Sequence, residues 1–171
     1  MKKAPAIVVM GVAGSGKSTA GALLAKLLDA AFSEGDRFHS QANIDKMSAG
    51  IPLTDEDRWP WLKRVGQEIA RLAAAGKPVV CACSALKRSY RDALRESSGQ
   101  PLTFVYLQGS RELIAGRMKS RTGHFFAPSL LDSQFATLEP PGRDENAVVA
   151  DLRLPVDEMV DGVLAELAQE S

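Results

Sequence analysis

Eight consecutive residues carry the clearest chemical signal in the chain: Gly11-Val12-Ala13-Gly14-Ser15-Gly16-Lys17-Ser18 fits G-x-x-x-x-G-K-[ST] without a mismatch. Glycines at 11, 14 and 16 let the backbone turn tightly and bring amide N–H groups against phosphate oxygens. Lys17 offers a point charge to the β- and γ-phosphates of a nucleotide, and the Ser18 hydroxyl is placed to ligand Mg²⁺. The flanks agree with this chemistry. Ile7 to Met10 is an apolar β-type run, and Thr19 onward reads as a helix whose N-terminal dipole adds to an anion site. This is a P-loop, so Gly11 through Thr19 are expected to hold ATP.

Further along, Glu34-Gly35-Asp36 follows a short apolar piece, at the place where open α/β sheets bind ligands. Asp36, His39, Asn43 and Lys46 are spaced near a helical turn, so several of them can share one face. Arg58 stands beside Trp59-Pro60-Trp61. It reads either as a surface cation or as a clamp for a substrate carboxylate. Both tryptophans read as core anchors, with Pro60 expected in the first helical turn.

Lys87, Arg88, Arg91 and Arg95 make a basic helix start and face. Cations at a helix N-terminus oppose the dipole, so an anionic ligand is the expected reason for Lys87 and Arg88. Arg117 and Arg121 are in phase at i,i+4. Thr122-Gly123-His124 then leads to Pro128, the pattern of a basic lid that closes over phosphates. No acidic residue ends the third strand, where many P-loop proteins keep one for Mg²⁺.

Elements that must position these residues follow from periodicity. Strands are expected at Ile7–Met10, Ala31–Ser33, Pro78–Cys83, Leu102–Leu107 and Ala147–Leu152. Helices are expected from Thr19, from Thr54 to about Ala75, from about Lys87 onward, from Ser110 to about Arg121, from Ser129 to Leu138, and from Val156 to Ala168. Thr54 with Asp57, and Ser129 with Asp132, read as capping pairs. Strands alternating with helices predict a three-layer α/β architecture. Cys81 and Cys83 read as core thiols: their spacing strains a disulfide, and two thiols do not complete a zinc site.

Composition sets the outer limits. The chain has 171 residues, 45% hydrophobic and 25% charged, which suits one globular domain. Lys+Arg and Asp+Glu both number 21, so no general attraction to nucleic acid or anionic membrane is expected. No apolar run approaches the roughly twenty residues of a membrane span, and a signal peptide would have to remove the P-loop, so a cytoplasmic location is expected. The chain has neither the N-K-x-D nor the D-x-x-G stretch of a GTPase. A compact kinase for a small acceptor remains, with a non-enzymatic nucleotide-binding module as the reading from another class.

Three stretches then become recognisable together. Glu34-Gly35-Asp36-Arg37-Phe38-His39, with Asn43 to Lys46 and Gly50 to Leu62, resembles the gluconate kinase (gluconokinase) family. So do Cys83-Ser84-Ala85-Leu86-Lys87-Arg88-Ser89-Tyr90-Arg91 and Arg121-Thr122-Gly123-His124, with Leu131-Asp132-Ser133-Gln134 after it. The resemblance covers Gly11 to about Glu139. It implies transfer of the ATP γ-phosphoryl to the 6-hydroxyl of D-gluconate, in a P-loop kinase fold related to shikimate and nucleoside monophosphate kinases. The implied form is a single domain, 1–171, with a five-stranded mainly parallel sheet, a helical substrate-binding segment at about 36–62 and a small lid at about 118–130. Kinases for shikimate or AMP are the near alternatives.

The resemblance also implies roles. Lys17, Asp36 and Arg121 are the catalytic candidates, with Asp36 orienting and deprotonating the acceptor hydroxyl. Arg117 would stack on adenine, and Arg121 would reach the phosphates. Asp36, His39, Lys46, Arg58, Lys87, Arg88, Arg91, His124 and Gln134 are the substrate candidates, and Ser18 is the Mg²⁺ ligand. A homodimer is implied as well. Relatives commonly carry Pro where this chain has Ser40, which is expected to loosen the start of the substrate helix, and Met where it has Phe126, which changes bulk in the lid.

Overall fold

The computed structural model describes residues 5–119 and 128–169. Five strands form one sheet: β1 (Ala6–Met10), β2 (Ala31–Glu34), β3 (Val79–Ala82), β4 (Leu102–Gln108) and β5 (Ala147–Asp151). Their spatial order is β2-β3-β1-β4-β5, and every neighbouring pair is parallel, Val8 lying level with both Cys81 and Phe104. A central strand covered on both faces needs apolar residues at every position, and β1 is buried throughout. Burial of Ile7, Val8, Val9 and Met10 contributes about 1.5–3 kcal/mol each.

Seven helices are described: α1 (Lys17–Leu28), α2 (Gln41–Ser48), α3 (Asp55–Ala73), α4 (Arg88–Ser98), α5 (Arg111–Lys119), α6 (Pro128–Thr137) and α7 (Val156–Gln169). α1 and α7 pack together on one face of the sheet, where Ala20, Leu24, Met159 and Val160 meet Val9 and Val105. α3 and α4 pack against each other. Connections leaving β1 and β3 run to opposite sides of β1, so right-handed crossovers place α4 on the other face. The carboxyl ends of β1, β2 and β3 open into the crevice where ligands bind such sheets. Both cysteines are free and buried. No helix among the described residues is long and apolar enough to cross a membrane.

Local signals decide most boundaries. Thr54 Oγ1 accepts from Asp57 N at 3.1 Å, and Asp57 Oδ2 accepts from Thr54 N at 2.9 Å, completing the expected capping box of α3. Ser110 Oγ accepts from Leu113 N, opening α5.

The expected five-stranded parallel sheet is present, and every pair among the described strands is parallel, but other details differ. Pro60 lies in the second turn of α3, not the first, so the helix interior tolerates a missing N–H there. α6 begins at Pro128, and Asp132 pairs with Arg111 rather than joining Ser129 in a cap. Val156 is exposed instead of forming part of the apolar face of α7. Ser40 does not loosen α2: its side chain accepts from Asn43 N at 3.1 Å and caps the helix. The expected lid, with Arg121, His124 and Phe126, lies largely outside the described residues.

Candidate active site

The P-loop joins β1 to α1. Gly16 takes φ 90°, a left-handed conformation that other residues adopt only with strain, and so turns the chain into the first helical N–H groups. Lys17 Nζ lies over the loop and donates to the carbonyls of Gly11 and Val12 at 3.1 and 3.0 Å. Burial pushes the Lys17 ammonium below its ordinary pKa, while Asp36, Cys83 and Glu34 pull it back. Ser18 Oγ donates to Glu34 Oε1 at 2.7 Å.

Glu34 is the acidic partner that β3 lacks. It ends β2, in register with Ala82 of β3, so the neighbouring strand brings a carboxylate to the P-loop serine. Sequence reasoning sought an acid after β3 and gave Glu34 no role. The available signal was its place at a strand end immediately before Gly35.

Gly35 is required by close approach, because a Cβ there would stand 2.6 Å from the Ala82 carbonyl oxygen. Its own carbonyl accepts from Trp61 Nε1 at 2.8 Å, which fixes the 3-10 turn (Gly35–Phe38) carrying Asp36. His39 follows and stacks on Trp61, with ring centroids 4.1 Å apart and planes 17° apart. Burial lowers the His39 pKa to about 4; Asp36 opposes this, and Arg58 and Arg64 add to it. The imidazole is therefore neutral at pH 7.

Arg58 is 9% exposed, and its Nη1 donates to Tyr90 Oη at 2.8 Å. Tyr90 in turn donates to Asp55 Oδ1 at 2.5 Å. Burial and the Asp55 carboxylate push the phenol up to about 12, so it stays a donor at neutral pH. Arg58 is thus an oriented, largely dehydrated cation rather than a surface charge. The two tryptophans divide: Trp61 is buried and also lines the site, whereas Trp59 is exposed and meets Tyr90 edge-on.

These groups enclose one cavity of about 320 Å³. Its lining brings Ala13, Gly14, Gly16, Lys17, Ser18 and Thr19 of the P-loop region together with Asp36, His39, Arg58 and Trp61, and includes Met47, Leu53, Ser84, Met118 and Gln134. Gln134 reaches the P-loop itself, where its Oε1 accepts from Ala13 N at 2.6 Å. A phosphate-binding backbone, a cation, a carboxylate and a second oriented cation converge here. That set suits phosphoryl transfer to a small anionic acceptor.

Four expected substrate residues are not brought to the cavity wall. Lys46 pairs with Asp57 at 2.7 Å, and that hydrogen bond holds the Asp57 carboxyl down at about 2. Lys87 pairs with Asp55 at 3.2 Å, and Arg88 with Asp144 at 2.6 Å. The basic start of α4 is therefore offset by carboxylates of the chain itself. Glu139 Oε1 accepts from Arg88 N at 3.0 Å, which puts a negative charge on the helix N-terminus.

Arg91 is fully buried. It forms a two-point pair with Glu145 at 2.7 and 3.0 Å, and its Nη1 donates to Ala85 O at 2.8 Å. Ala85 holds φ 45°, a strained value for a residue with a Cβ. Arg91 thus braces the loop whose Ser84 carbonyl accepts from Gly11 N. Arg117 donates through Nη2 to Leu152 O, at the carboxyl end of β5.

A model of the AAA domain family matches residues 7–141. The thermoresistant gluconokinase of Escherichia coli K12 is 45% identical, over 92% of this chain and 88% of its own. The gluconokinase of Gluconobacter oxydans is 47% identical, over 94% and 88%. Among solved structures, a gluconokinase from Sinorhizobium meliloti 1021 superposes with a TM-score of 0.88 at 50% identity, covering 99% of this chain and 94% of that one.

Proposed function

The chain belongs to the gluconokinase family, and from that premise we propose that it transfers the γ-phosphoryl group of ATP to the 6-hydroxyl of D-gluconate, giving 6-phospho-D-gluconate and ADP. The observation that carries the reading is a cavity lined both by the P-loop and by Asp36, His39 and Arg58.

The P-loop amides and Lys17 hold the β- and γ-phosphates. The 6-hydroxyl oxygen forms the new bond to the γ-phosphorus while the bond from phosphorus to the β–γ bridging oxygen breaks. That electron pair leaves with ADP, and the hydroxyl proton passes to the Asp36 carboxylate. Lys17 stabilises the charge spread over the transferring group. Arg58, held by Tyr90, pairs with the gluconate carboxylate. Arg117 stacks on adenine, Arg121 reaches the phosphates, and His124 and Gln134 touch the acceptor.

Mg²⁺ belongs to the same proposal. The Ser18 hydroxyl presents a hard oxygen donor of the kind this ion takes, and the Glu34 carboxylate, 2.7 Å away, orients it as an outer partner. When bound, it supplies charge neutralisation across the β- and γ-phosphates. A homodimer and a cytoplasmic location complete the proposal, and sedimentation and cell fractionation test them. A coupled ADP-release assay with gluconate, shikimate, AMP or no acceptor tests the reaction. Turnover with gluconate alone is expected. Tight ATP binding without acceptor-dependent turnover would favour a binding module instead.

A further inference from the structure

We propose that Asn43 fixes His39 as the neutral imidazole with its proton on Nε2, so that His39 and Asp36 together read one substrate hydroxyl as donor and acceptor. Asn43 is 3% exposed, on the first turn of α2. Its amide nitrogen has two protons and two neighbours: Asp57 O at 3.0 Å and His39 Nδ1 at 3.2 Å. A backbone carbonyl only accepts, so the nitrogen of the Asn43 amide must face Asp57, and the amide cannot be turned over. His39 Nδ1 therefore meets an N–H donor and must carry a lone pair. In a neutral ring the proton is then on Nε2.

The surroundings hold this arrangement. Stacking on Trp61 fixes the ring plane. The charged groups facing the ring are Asp36 from the 3-10 turn and Arg58 and Arg64 from α3; α2 contributes the neutral Asn43. A second proton on Nδ1 would point at the Asn43 N–H and face two arginines, in keeping with a His39 pKa near 4.

On the other side of the ring, Nε2 lies 3.9 Å from Asp36 Oδ1. That is too far for a direct hydrogen bond, but one oxygen at about 2.8 Å from each closes the gap. A hydroxyl there accepts from Nε2–H and donates to the carboxylate. Asp36 and His39 both line the cavity, so the position is open to a ligand. A keto or deoxy group cannot satisfy both partners. Asn43 is thus a positioning residue, and the pair it sets up selects for a hydroxyl.

That this hydroxyl belongs to gluconate rests on the function proposed above; the protonation state of His39 does not. Long-range ¹H–¹⁵N correlation NMR reads the tautomer directly. The chain has two histidines, so His124→Gln assigns the signals. At pH 7, His39 should show a pyridine-type Nδ1 and a pyrrole-type Nε2, unchanged down to about pH 5. A proton on Nδ1, or an imidazolium at pH 7, would overturn the proposal, and this wild-type spectrum decides the point even where a variant fails to fold.

Asn43→Asp replaces the donor with an acceptor. The proton should move to Nδ1 and the ring should titrate at higher pH. kcat/KM for gluconate should fall roughly 10- to 100-fold, the cost of one hydrogen bond to a charged or reacting group. Its pH profile should also gain an ionisation that the wild type lacks. An Asn43→Asp protein with the wild-type tautomer, or with wild-type kcat/KM and pH profile, would contradict the assignment. Absence of gluconate turnover in the wild type would count against the proposed function, leaving the NMR readout to judge the tautomer.

Discussion

The Ser18 hydroxyl donates to Glu34 Oε1 at 2.7 Å, tying the first turn of α1 to the last residue of β2. A carboxylate held on the P-loop serine orients it and adds negative charge where a divalent cation is expected. Glu34→Gln keeps an acceptor of the same shape and removes the charge. The Mg²⁺ concentration for half-maximal activity should rise by about 10- to 100-fold, the usual effect of losing an outer partner of a metal ligand. Titrating Mg²⁺ at fixed ATP measures it, and an unchanged midpoint would remove Glu34 from the metal site.

Tyr90 stands between Arg58 and Asp55, accepting from one at 2.8 Å and donating to the other at 2.5 Å. Tyr90→Phe leaves a buried guanidinium N–H without its acceptor, a cost of about 1–3 kcal/mol. If Arg58 grips the acceptor carboxylate, the loss should appear mainly as a KM for gluconate raised about tenfold, with a smaller change in kcat. Steady-state kinetics separates the two; equal KM in both proteins would show that Arg58 needs no such support.

Arg91 and Glu145 form a pair with side-chain exposures of 0% and 2%. Removing one member of such a pair strands the other, so Arg91→Met should destabilise the fold by about 3–5 kcal/mol, while Arg91→Met with Glu145→Leu should recover most of it. Urea unfolding measures both. The pair also fixes a pH dependence. Burial alone would raise the Glu145 pKa, but hydrogen bonds from Arg91, Gly142 N and Arg95 outweigh it and hold the carboxyl at about 2, below its ordinary 4.5. A carboxyl depressed in the folded state stabilises above its unfolded value, and that stability is lost as pH falls from 4.5 through about 2. Wild type should lose more stability than Glu145→Gln between pH 5 and pH 2. Parallel loss would place the acid sensitivity elsewhere.

What the sequence made legible was local. The P-loop, the Thr54–Asp57 capping box and the five strand runs are each written within a few neighbouring residues, and the structure has them. Partners far apart in sequence were not legible. Lys87 meets Asp55 from 32 residues away, Arg91 meets Glu145 from 54, and Arg88 meets Asp144 from 56, so three cations looked free for a ligand until the fold paired them. Glu34 was overlooked for the same reason, because its closeness to Ser18 depends on β2 and β3 lying side by side in register. The sequence spacing lets Asn43 share a face with Asp36, His39 and Lys46 but gives it no task of its own. Only the placement of Asp57 O and His39 Nδ1 on either side of its amide nitrogen gives it a specific task.

Gln134 links α6 to the nucleotide side, its Oε1 accepting from Ala13 N at 2.6 Å. Gln134→Ala frees that amide and lets the P-loop relax before nucleotide arrives. One such bond contributes about 1 kcal/mol, so kcat/KM for ATP should drop roughly fivefold. Kinetics with ATP varied at saturating acceptor reads the change, and a wild-type value would limit Gln134 to the acceptor.

The central claim is the identity of the acceptor and of the oxygen that is phosphorylated. Incubating the protein with ATP, Mg²⁺ and D-gluconate and following the mixture by two-dimensional ¹H–³¹P NMR tests it most directly. A single new phosphomonoester signal coupled to the two C6 protons is expected, growing in step with ADP and absent without gluconate. Phosphorus coupled to any other carbon's proton, or ATP consumed with shikimate or AMP but not with gluconate, would contradict it.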